Sequence, residues 1–89
     1  MGQVALLMRV MPDGIDVDIA KLKADTAEAV SRIGKLAESK EVPFAFGLKA
    51  LQLNIVMEDA EGGPEMVEEA LAAVPGVQGV ELLEMGRLF

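Results

Sequence analysis

Neither cysteine nor histidine occurs in the 89-residue chain. Their absence excludes disulfides, thiol chemistry, tetrahedral zinc sites and the usual general base of hydrolases. No Ser-His-Asp or Cys-His constellation can form, and the serines, Ser31 and Ser39, sit in no nucleophile-elbow pattern. Tryptophan and tyrosine are missing as well, and the 3 aromatics are all Phe. A core must therefore be built from Val, Leu, Ile, Met and Ala. Positive charge is in short supply, with 8 Lys and Arg against 15 Asp and Glu and a net charge of −7. Phosphate backbones repel such a chain, so direct nucleic-acid binding is not expected, whereas attraction to a basic partner is. Long apolar runs are absent too: nothing approaches the roughly 20 residues of a membrane span. No basic stretch leading into an apolar run follows Met1. The expectation is a soluble, cytoplasmic protein without a membrane contact.

What is present is apolar content, 52% of residues, enough to predict a packed globule rather than a disordered tail. A chain this short buries roughly 60–65% of its unfolded surface and has room for one core, so residues 1–89 read as a single domain. Val4, Leu6, Met8 and Val10 alternate within Gln3 to Met11, which predicts a strand with Arg9 on its other face. Pro12-Asp13-Gly14 ends it. A helix follows from about Val17 to Ile33, with Asp16 and Asp18 at its start as capping carboxylates. Ile19, Leu22, Thr26, Ala29, Val30 and Ile33 form its buried stripe, and Gly34 is expected to end it in a left-handed conformation.

Lys35 to Phe44 reads as an exposed edge strand, with Leu36, Val42 and Phe44 on one side and Pro43 consistent with an edge. Phe44-Ala45-Phe46-Gly47 connects to the clearest strand, in which Leu51, Leu53, Ile55 and Met57 alternate with Gln52, Asn54, Val56 and Glu58. Asp59 to Gly63 is a loop, and Pro64 opens a second helix that buries Val67, Ala70, Leu71 and Val74. Pro75-Gly76 stops that helix before a last strand from Val77 to Met85, with Val80 and Leu82 in phase. The order β-α-β-β-α-β describes a ferredoxin-like α/β sandwich, a four-stranded antiparallel sheet with both helices on one face.

That fold hosts many activities, so function must come from particular residues. RNA-recognition domains of this shape place aromatics on the central strands, and metal carriers use cysteines; both are lacking here. Asp13, Asp16 and Asp18 do not have the spacing of a calcium loop, and turn and capping roles account for them. Glu65, Glu68 and Glu69 on the second helix, with Glu81 and Glu84 on the last strand, could converge to hold a hard cation weakly; the alternative is a solvated acidic face. Gly62-Gly63-Pro64 lacks the Lys-Ser/Thr of a phosphate loop and reads as a helix start. Two of the three phenylalanines fall in Phe44-Ala45-Phe46-Gly47. An exposed Phe on such a loop is a candidate anchor for a partner, while a core position is its ordinary alternative.

Longer blocks carry a family signal. Pro43-Phe44-Ala45-Phe46-Gly47-Leu48-Lys49-Ala50-Leu51, then Glu58-Asp59-Ala60-Glu61-Gly62-Gly63, resemble the translation elongation factor 1-beta family in its short archaeal form. So do Met8-Arg9-Val10-Met11-Pro12, Asp16-Val17-Asp18 and Val74-Pro75-Gly76-Val77, and the resemblance spans essentially the whole chain. It implies a nucleotide exchange factor for elongation factor 1-alpha, with a ferredoxin-like fold, no cofactor and no catalytic side chain of its own. It further implies that Phe46, beside Gly47, inserts into the GTPase. Arg87 stands where eukaryotic relatives carry a Lys near the Mg²⁺ site, and a guanidinium is wider than an ammonium; a solvated tail is the alternative there. Lys49 is a weaker candidate for steering. Two other functions stay open beside exchange: a small regulatory or ligand-binding module of the same fold, and a divalent-cation protein. Oligomeric state is not legible.

Overall fold

Alternation of apolar residues along two strands decides where the core lies. In the computed structural model, residues 2–14, 16–44, 47–58 and 63–87 are described, the last by its backbone. The elements are β1 (Gln3–Pro12), α1 (Ile19–Ser31), β2 (Lys35–Pro43), β3 (Lys49–Glu58), α2 (Gly63–Ala72) and β4 (Val77–Arg87). The strands are all antiparallel in the order β2-β3-β1-β4. This is the ferredoxin-like arrangement expected from the sequence.

β1 and β3 are the inner strands, in register from Gln3 opposite Glu58 to Val10 opposite Leu51. Leu6, Met8 and Val10 therefore meet Ile55, Leu53 and Leu51, and all six are fully buried. Leu22 and Val30 of α1, and Val67 and Leu71 of α2, close over this layer. Each such aliphatic side chain contributes about 1.5–3 kcal/mol on burial. Thr26 lies in the same stripe at 0% exposure. Its hydroxyl donates to the Leu22 and Lys23 carbonyls at 2.9 and 3.0 Å, so no polar group is stranded there. Asp18 is the N-cap of α1, its carboxylate accepting from the Ala20 and Lys21 amides at 3.1 and 3.3 Å. With both helices on one side, the other face of the sheet carries no helix.

Three details depart from the sequence reading. Gly34 does not adopt a left-handed conformation; positive φ occurs at Gly47 and Gly76 among the described glycines. The end of α1 is closed instead by the Ile33 and Gly34 amides donating to the Val30 carbonyl at 3.0 and 2.9 Å. Glycine is required at 34 because β3 passes beside it: a Cβ there would lie 2.9 Å from the Val56 oxygen and 3.0 Å from Met57 Cβ. Second, Leu36 and Val42 do not share a face. A register shift between Leu36 and Glu38 leaves Leu36 opposite Ile55, on the helix side, and Val42 opposite Ala50, on the bare side. Third, β4 runs on to Arg87, with register shifts where Val77 and Gly79 pair with Pro12 and Met11 and where Leu82 and Glu84 pair with Met8 and Leu7.

Gly34→Ala is expected to cost about 1–3 kcal/mol, as overpacking does, and to lower the melting temperature by roughly 5–20 °C. Asp18→Ala should cost only about 1 kcal/mol, the loss of one cap. Thermal unfolding followed by circular dichroism measures both; a Gly34→Ala loss well below about 1 kcal/mol would contradict the contact at Gly34.

Candidate functional site

The β2–β3 connection stands at the end of the sheet where β1 finishes. β2 ends at Pro43 opposite Lys49, and the Phe44 amide then donates to the Leu48 carbonyl at 2.8 Å, closing the neck of the loop. Gly47 has φ of +78°, and among the described residues a Cβ there would meet nothing within 4 Å. Glycine is thus needed for the turn of the backbone, not for space. The neighbouring β1–α1 and α2–β4 turns sit at the same end, tied by the Asp13 amide donating to the Gly76 carbonyl at 2.8 Å.

Two depressions flank the segment Gly47-Leu48-Lys49. One, of about 440 Å³, is lined on its far side by Glu41, Val42, Pro43 and Phe44. The other, of about 180 Å³, is lined by Pro12, Gly14, Val17 and Ile19. The segment Gly47-Leu48-Lys49 is thereby presented as a ridge with a hollow on either side.

Of the residues singled out in the sequence, Gly47 and Lys49 belong to this ridge. The Lys49 side chain is 65% exposed, with its Nζ 3.8 Å from Glu41 Oε1, a contact of little energetic weight. Phe46 lies outside the described residues. Arg87 is the last residue of β4 and pairs with Val4, at the start of β1. The loop adjoins the other end, beyond the pair of Val10 and Leu51. The stretch of β1 between Val4 and Val10 spans roughly 20 Å at the usual rise per residue. Arg87 and the Gly47 loop are therefore not brought together; they occupy opposite ends of the sheet.

The acidic residues do not converge as proposed for a cation. Glu81 and Glu84 pair with Arg9 and Leu7, on the helix-free side of the sheet, while Glu65, Glu68 and Glu69 belong to α2 on the other side. The cause is the shift in β4: Leu83 is left over, so Glu81 and Glu84, of opposite parity, both fall beside outward-facing residues of β1. Among the described residues no group of three or more carboxylates is placed to hold a metal ion.

Sequence reasoning missed a second cluster. Arg9 Nη2 donates to Glu81 Oε2 at 2.6 Å, and the Arg9 guanidinium carbon lies 5.3 Å from the centroid of the Phe44 ring. Phe44 is 37% exposed and lies outside the core. Opposite signs at Arg9 and Glu81 could have suggested the pair, but only once the register of β1 with β4 was known.

Comparison with known proteins adds to this geometry. Residues 5–88 match the family described as the EF-1 guanine nucleotide exchange domain. The chain is 47% identical to elongation factor 1-beta of Methanococcoides burtonii over 87 residues, covering 98% of each chain. It is 41% identical to that of Methanothermobacter thermautotrophicus, with 99% of each covered, and 42% identical to that of Methanocella arvoryzae over the full length of both.

Calorimetric titration with Mg²⁺ or Ca²⁺ at millimolar concentration should give no saturable heat, since the carboxylates lie on two sides of the sheet. A stoichiometric binding isotherm lost in Glu81→Gln would overturn that reading.

Proposed function

This chain belongs to the EF-1 guanine nucleotide exchange domain family and works in guanine nucleotide exchange, and from that premise we propose that its GTPase is elongation factor 1-alpha. The observation that carries the proposal is the match to archaeal elongation factor 1-beta along 98% of both chains. Residues 1–89 act as one exchange domain, speeding GDP release in the cytoplasm so that GTP can reload during translation elongation.

The physics requires no chemistry from this chain. GDP is held on such a GTPase by phosphate contacts and by Mg²⁺, often the largest local charge at the site. A partner that binds best when those contacts are distorted weakens nucleotide binding, and nucleotide weakens the partner by the same factor. No bond is made or broken, so neither a general base nor a nucleophile is called for.

Phe46 is the aromatic anchor, and the hollows beside the adjoining Gly47-Leu48-Lys49 segment leave room for the partner's walls. Gly47 lets the chain turn behind it, and Lys49 offers an exposed positive charge in an otherwise acidic protein. Arg87, at the other end of the sheet, supplies a cation to a separate part of the GTPase surface. Its guanidinium would compete with Mg²⁺ for oxygen ligands.

The test is release of fluorescent GDP from elongation factor 1-alpha with catalytic amounts of this protein. Strong acceleration is expected, and none from a folded pair would sink the proposal. Phe46→Ala should reduce stimulated release by about 30-fold or more, as loss of a central anchor does, with the melting temperature little changed. Arg87→Ala should slow release while Arg87→Lys largely preserves it; equal rates in all three would remove Arg87 from the site.

A further inference from the structure

Arg9 lies far from the β2–β3 loop in sequence, yet its side chain reaches the loop's base. It projects from β1 onto the helix-free face, in a cross-strand row with Gln52 of β3 and Glu81 of β4. Its guanidinium is held from one side by the Glu81 carboxylate at 2.6 Å and lies under the Phe44 ring at 5.3 Å from the centroid. The side chain is only 28% exposed. Its Nε is shut off from solvent without a hydrogen-bond partner among the described residues, an arrangement that stability alone disfavours. Phe44 is the residue whose amide closes the loop neck on Leu48. Glu81, Arg9 and Phe44 therefore form a chain of contacts from the far edge strand, across β1 and over β3, to the hinge of the ridge that carries Gly47.

We infer that Arg9 is a positioning residue for nucleotide exchange: held by Glu81 and stacked on Phe44, it fixes the neck that Phe44 closes on Leu48 and so the direction in which the Gly47-Leu48-Lys49 ridge meets the GTPase. The inference rests on the exchange reading above. A neck held by a hydrogen bond alone would open more readily, and apparent affinity falls by the fraction that is competent. The guanidinium suits the task because it can take a carboxylate on its edge and an aromatic ring on its face together.

Arg9→Met keeps the apolar stem and removes the charge, and it serves as the test. The factor concentration giving half-maximal GDP release should rise about 3- to 10-fold, more than the maximal rate falls. Arg9→Lys should recover part of the loss, since an ammonium can stack on the ring but lacks the fork for Glu81. Phe44→Leu should show the same defect, and the double variant Arg9→Met/Phe44→Leu no more than either alone. In parallel, hydrogen exchange of the Phe44 amide in the free protein should speed up about 3- to 10-fold in Arg9→Met. Wild-type half-saturation in both single variants, or additive losses in the double, would overturn the inference. The amide measurement keeps the two readings distinguishable: an inert wild type with a loosened Phe44 amide in Arg9→Met would refute exchange and leave the clasp. An active wild type with an unmoved amide would refute the clasp and leave exchange.

Discussion

Everything in this protein hangs on the pairing of β1 with β3. Their eight-residue register places Leu6, Met8 and Val10 beside Ile55, Leu53 and Leu51, a strip of apolar surface that water cannot be allowed to touch. Both helices are needed to cover it, and each spends its buried face doing so. Once the strip is covered, the opposite side of the same two strands has no helix left to meet it. The bare face, the Arg9 row upon it and the loop at its end are all consequences of a core that uses one side of the sheet.

The parts of the fold that depend on local pattern were legible in the sequence. Strict alternation in β1 and β3, the spacing of Leu22, Thr26 and Val30, the Asp18 cap and the stop at Pro75-Gly76 each follow from residues within one element. What failed to show is nonlocal. A β-bulge adds one residue without demanding a particular type, so nothing at Ala37 or Leu83 announced the shifts that move Val42 to the bare face and bring Glu84 to the same side as Glu81. Gly34 looked like a helix terminator because that is the commonest reason for glycine after a helix; the true reason, a passing strand, lies more than twenty positions along the chain.

The candidate site divides in the same way. Its identity came from family likeness, because the proposed contact with a partner leaves no signature of the kind that metal ligands or acid–base pairs leave. Gly47 was found by its sequence context and is explained by its dihedral angle. The Arg9, Phe44 and Glu81 contacts stayed invisible because they require three strand registers to be known at once, although each residue was in plain view.

The surplus residue at Leu83 has one more consequence. A β-strand has two phases, and whichever side chain faces the helices is set by counting from the last irregularity. Leu83 resets that count. Residues from Gly79 to Leu82 are in step with Val80 and Leu82, and residues after Leu83 are in step with Met85, opposite Leu6. Losing a single residue there would exchange the two sides of everything downstream while leaving each residue type unchanged. The bulge thus acts on β4 much as a frame acts on a coding sequence: single-residue gains and losses between Leu82 and Arg87 should be rare in descendants of this fold, and paired ones far better tolerated.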